Sequence, residues 1–164
     1  MDDETDGRHD FDFLFGRWRI HNRKLADQLD PDCADWTEFD AVGEARPVVG
    51  GLGNVDTFVA ETMPPDGRRY EGMALRLFDP GTRLWRIWWA STRRPGFLDT
   101  PVEGRFDRPD HGVFACDDLV DGRSLRVRFE WRVESPVQAS WQQAFSFDAG
   151  RTWIPNWRMD FSRA

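Results

Sequence analysis

Across residues 125–133 the chain alternates without a break: Leu125, Val127, Phe129, Trp131 and Val133 are apolar, and Arg126, Arg128, Glu130 and Arg132 between them are charged. Side chains on one face of a β-strand recur at every second position, so this spacing makes one oily face and one wet face. The nine tryptophans and thirteen phenylalanines of the chain fall mostly in runs of the same kind. Several such strands must close on themselves or stack to cover so many rings. The sequence therefore describes a container more fully than its contents.

At 164 residues the chain has the length of one domain and buries enough surface to need no staples. The formal charge is 22 − 29 = −7, which disfavours phosphate backbones and anionic lipid as partners. Lys24 is the only lysine, and the arginines are scattered singly along strands rather than gathered into a stripe, as on a solvated outer face. Cys33 and Cys116 have no neighbouring cysteine or histidine pair, so neither a disulfide framework nor a zinc cluster is indicated. Residues 1–10 are acidic and lack the basic and apolar regions of a signal peptide, and no segment is apolar enough to cross a bilayer as a helix. These features predict a cytoplasmic protein without membrane insertion, formed of a flexible acidic tail over 1–10 and one barrel domain over 11–164. A homodimer stays open as an assembly.

Along the chain, 11–18 packs aromatic residues into a stretch too short and too Gly-broken for a long helix, and reads as one helical turn feeding a strand. Strands are predicted at 18–25, 36–46, 54–61, 70–78, 84–90, 102–107, 113–118, 124–133, 138–147 and 153–161. Turn signals rich in Pro, Gly and Asp separate them. About ten strands with short connections favour an antiparallel up-and-down β-barrel, all-β, with the short turn at its start. No internal repeat and no linker divides it.

Ser146-Phe147-Asp148-Ala149-Gly150-Arg151-Thr152-Trp153 has the pattern of an Asp-box, which resembles the hairpin turns of sialidase propellers. A single copy reads as a turn device: the carboxylate accepts turn amides, Gly supplies a left-handed position and Trp plugs the hairpin base. Gly50-Gly51-Leu52-Gly53 leads into a strand, not a helix, and reads as a barrel corner, not a phosphate cradle. Asp117 and Asp118 beside Asp121 read as solvated turn residues.

Gly16-x-Trp18, after a short aromatic turn at the mouth of the first strand, resembles the opening signature of the calycin superfamily: lipocalins, fatty-acid-binding proteins and nitrobindin-like barrels. That pattern sets a basic residue of the last strand against the tryptophan, and Arg158 or Arg163 is available for such a cation–π contact. The whole chain resembles a bacterial family of calycin-like barrels with no assigned chemistry, so the resemblance implies a fold. Nitrobindin-like barrels hold haem through a histidine late in the chain. Here the last histidine is His111, and Ile20 and Asn22 stand where those proteins carry further glycines, so haem is disfavoured, with His21 and His111 as the axial candidates. The Arg-x-Tyr pair with which fatty-acid-binding proteins hold a carboxylate is absent from Arg158-Met159-Asp160. No cofactor or metal is expected.

His21 lies mid-strand between Arg19 and Arg23, whose charge would hold its pKa down and leave a neutral imidazole able to act as base or ligand contact. The alternative is a histidine on the wet face, hydrogen-bonded to a cross-strand carboxylate such as Glu38 or Asp40. Gln143 shares the apolar register of Trp141, Phe145 and Phe147, and a polar amide in that row needs a partner. Nucleophile elbow, dinucleotide fingerprint, phosphate loop and His-Glu-x-x-His are all absent from the sequence.

The first functional expectation is a binder of a small, largely apolar or aromatic molecule, walled by Trp85 or Trp88, Trp89, Trp131, Trp141 and Trp157 and oriented by Gln143 or His21. The second is an enzyme of isomerase or cyclase type in the same cavity, with His21 as catalytic base and an arginine stabilising negative charge. The third is a ligand-free structural or interaction barrel whose rings fill the interior.

Overall fold

A computed structural model describes residues 6–164. Ten strands, β1 (Gly16–Leu25), β2 (Trp36–Val48), β3 (Gly53–Met63), β4 (Arg68–Asp79), β5 (Leu84–Ser91), β6 (Val102–Arg108), β7 (His111–Val120), β8 (Arg123–Ser135), β9 (Gln138–Ser146) and β10 (Ile154–Arg163), follow one another in antiparallel order. The ring closes where β1 pairs with β10. This is the up-and-down barrel predicted from the alternation. Most strands run one to three residues past the predicted ends, because backbone pairing continues into the polar residues that flank each apolar run. β9 instead stops at Ser146, where the Asp-box turn begins.

Alternation along each strand decides what faces inward. In β1, Trp18, Ile20 and Asn22 are buried and Arg19 and His21 exposed; in β4, Tyr70, Gly72, Ala74, Arg76 and Phe78 are buried. Large rings need small residues opposite them. Gly72 is one such position, since a Cβ there would lie 2.1 Å from Cζ2 of Trp89, and even Ala would displace the indole.

One end of the barrel is shut. A 3-10 turn, Asp12–Leu14, follows Phe11, and Phe11 and Leu14 are fully buried among barrel residues. Phe11 meets Trp85 edge-on at 5.0 Å and Phe106 at 5.1 Å. Arg163, at the end of β10, lies 3.9 Å from the ring centroid of Trp18 and donates to the carbonyls of Phe13 and Phe15. Trp18 itself donates Nε1–H to Leu14 O at 2.8 Å. Of the two arginines considered for the contact with Trp18, Arg163 makes it, while Arg158 lies over Trp36 at 5.4 Å. Within the acidic opening, residues 1–5 are outside the described residues. Gly7 O accepts from Trp85 Nε1 at 2.9 Å, so residues just before Phe11 also lie on the closed end.

The other end is rimmed by the connections 26–35, 64–67, 92–101, 121–122 and 147–153. Two seams interrupt the ladder near this rim. β2 and β3 pair only over Val42–Val48 and Gly53–Val59, leaving 36–41 and 60–63 facing each other unpaired. β5 and β6 share three residue pairs, Trp85 to Ile87 against Gly104 to Val102.

Candidate functional site

Between plug and rim the barrel encloses a cavity of about 720 Å³, within the range of roughly 300–1,000 Å³ usual for small-molecule sites. Registered rows of side chains build its wall. One row crosses Ile20, Phe161 and Ala139; the next crosses Asn22, Met159, Trp141 and Trp131; the third, nearer the rim, crosses Lys24, Trp157, Gln143 and Phe129. Directly opposed residues of antiparallel strands share a face, so each row follows from pairing alone. Trp141 meets Trp157 and Phe129 edge-on at 5.8 and 5.0 Å, the geometry that ring quadrupoles favour.

Of the predicted wall, Trp89, Trp131, Trp141, Trp157 and Gln143 line the cavity. Trp85 faces inward but lies beneath the floor, packed on Phe11 and Phe78. Trp88, in the opposite register to Ile87 and Trp89, belongs to the outer face.

His21 is a correction. Its Nδ1 lies 2.8 Å from Asp40 Oδ1 and its Nε2 3.6 Å from Glu38 Oε1, on the outside of the barrel. Its pKa is raised, chiefly by the hydrogen bond to Asp40 and further by Glu38. Asp40 lies directly across the strand and Glu38 on the diagonal, so the pKa is not held down and the ring faces away from the cavity. His111 also lies outside the cavity lining, between Asp107 Oδ1 at 2.7 Å and Glu130 Oε1 at 2.9 Å. Neither His21 nor His111 is placed to ligate a haem iron in the cavity, and His9 pairs with Asp12.

Several polar groups of the cavity, and of the wall behind it, are tied to one another. Gln143 Nε2 donates to Asn156 Oδ1 at 2.9 Å, which answers the sequence question of its partner. Asn156, the bulge residue of β10, also accepts from Gln28 Nε2 at 3.0 Å. Asn22, fully buried, accepts from Trp157 Nε1 at 3.0 Å and so fixes the indole of the wall. Tyr70 accepts from Trp89 Nε1 at 3.0 Å, and burial pushes its phenol pKa up. At the floor Arg76 is 4 % exposed, holding Asp56 Oδ2 at 2.7 Å and Asn54 Oδ1 at 2.9 Å. Its guanidinium lies 5.1 Å from the Phe11 ring and 5.7 Å from that of Trp131. Near the rim stand Lys24, Arg93, Arg94 and Asp99. Sequence reading passed over Arg76, Tyr70 and Lys24, although all three sit in the inward register of their strands.

Asp-box chemistry is structural here. Asp148 Oδ1 accepts from Ser146 Oγ at 2.9 Å and from Thr152 N at 2.8 Å, and Gly150 takes φ 87°. The hydrogen bonds from Thr152 bring the Asp148 pKa down to about 2. Trp153 packs under Arg128 at 4.4 Å.

No protein-family profile matches the chain, and no curated protein matches it significantly. Among solved structures, it is similar to the crystal structure of Rv2717c from M. tuberculosis, at TM-score 0.59 and 13% identity over 93% of each chain. A redesigned β-barrel aligns at TM-score 0.45 and 12% identity, again over 93% of both chains. At 13% identity the likeness to Rv2717c is one of fold. No helix among the described residues is long and apolar enough to cross a membrane.

Proposed function

We propose that this barrel, a calycin-like container working in the cytoplasm, binds one small and largely apolar or aromatic molecule in its interior. The observation that carries the reading is the cavity itself. It is closed by a plug at one end and walled by Trp89, Trp131, Trp141 and Trp157, with polar and charged groups in its lining and around the rim. Rings offer large contact area at low entropic cost, and a preformed pocket spares the ligand the work of opening one. A packed, ligand-free barrel would leave little such space. Acid–base catalysis from His21 has no geometric support, because that ring lies outside.

The test is a fluorescence titration with N-phenyl-1-naphthylamine, an uncharged aromatic probe. One probe should bind per chain, quench the wall tryptophans and raise Tm, since a ligand of the native state stabilises it by mass action. Ala74→Phe, which places a ring in the cavity from β4, should weaken binding at least tenfold while the circular dichroism stays native. Absence of binding by the native protein would sink the proposal.

A further inference from the structure

We infer that the molecule held in this cavity is an anion whose negative group sits at Lys24, in the row shared with Trp157 and Gln143. The inference rests on the binding reading above and concerns the charge of the ligand. Lys24 is the only lysine in a chain that otherwise uses arginine for its basic residues, and it lines the interior. Its register with Trp157 places the ammonium 5.4 Å from that indole's centroid.

Charge accounting around the cavity singles it out. Arg76 has Asp56 at 2.7 Å, Arg93 has Asp66 at 2.9 Å and Arg94 has Asp99 at 3.2 Å. Among the described residues Lys24 has no carboxylate partner, only the indole. Burial, with Arg93 in support, lowers its pKa, as expected of an ammonium lacking a countercharge in partly apolar surroundings. Donors gather behind its row: Gln143 and Gln28 each donate from Nε2 to Asn156 Oδ1, and Asn156 Nδ2, on a residue 1 % exposed, has no hydrogen-bond partner among the described residues. Of the five carboxylates in the lining, Asp56 pairs with Arg76, Asp99 with Arg94 and Glu44 with Arg17, Asp118 accepts from Thr100 Oγ1 and Leu119 N, and Asp121 lies in the rim connection 121–122; none of them pairs with Lys24. What Lys24 lacks is an acceptor with negative charge. A flat apolar carboxylate or sulfonate supplies both, with its rings against Trp157 and Trp141.

Two probes sharing the same rings isolate the charge: 1-anilinonaphthalene-8-sulfonate and the uncharged N-phenyl-1-naphthylamine. The net charge of −7 opposes anions in general, so a preference for the sulfonate must be local. The native protein should bind the sulfonate about tenfold more tightly, as one charge-assisted contact allows. Lys24→Met should erase that margin and leave the neutral probe unaffected, and Lys24→Arg should keep most of it. Lys24→Gln serves if the Met variant fails to fold. Equal affinities in the native protein, or a Lys24 variant that weakens both probes alike, would overturn the charge assignment alone. Failure of both probes to bind the native protein would remove the binding reading with it.

Discussion

Asp10 shows how a single side chain couples the closed end to pH. Burial, with Asp6 and Asp12 adding repulsion, pushes its carboxyl up to about 6. An acid whose pKa is raised by folding holds its proton more tightly in the native state. The stability it contributes is therefore complete below its unfolded value, near pH ~4, and is lost as pH rises through 6. Asp10→Asn should leave stability at pH 4 nearly unchanged and raise it at pH 7.5 by about 1 kcal/mol, allowing for solvent screening at this half-exposed site. Denaturant melts of both proteins at the two pH values decide it. His21 titrates on the outer wall, and His21→Ala should leave probe affinity unaltered. Its position was legible in the alternation, which groups His21 with Arg19 and Arg23 and against Trp18 and Ile20. Lys24 and Arg76 were equally legible by parity, but a charge in an inward register looks like a wet residue until its neighbours are known. Arg76's partners, Asp56 and Asn54, come from a different strand.

Among the elements, the strands were recoverable because each carries its own period, and pairing shifts only their ends. The plug was readable as an aromatic turn. What local sequence could not supply was the choice between Arg158 and Arg163 against Trp18, since that depends on the register of β1 with β10. Arg163 holds the plug through two carbonyls and one indole. Arg163→Ala should cost on the order of 2–4 kcal/mol, combining lost cation–π attraction with orphaned acceptors. Arg163→Lys should recover only part, because an ammonium lacks the planar fork that reaches both carbonyls. Thermal and denaturant unfolding of the two variants measure the difference.

For the whole molecule, the β2–β3 and β5–β6 ladders are thin near the rim. Backbone amides at 36–41 and 60–63 that face the β2–β3 seam have no partner across it, so they should exchange with solvent much faster than those of 42–48 and 53–59. Hydrogen-exchange mass spectrometry resolves these peptides, and equal protection would show that the seam is sealed in solution.

The contact of β1 with β10 carries a consequence for biosynthesis. The first strand to leave the ribosome waits for the last, so every earlier stage is an open sheet with two bare margins, each able to pair with another nascent chain. Shortening the chain before Arg163 would remove both the clasp on the plug and the final rungs of the ring, and the expected product is aggregate instead of a smaller barrel.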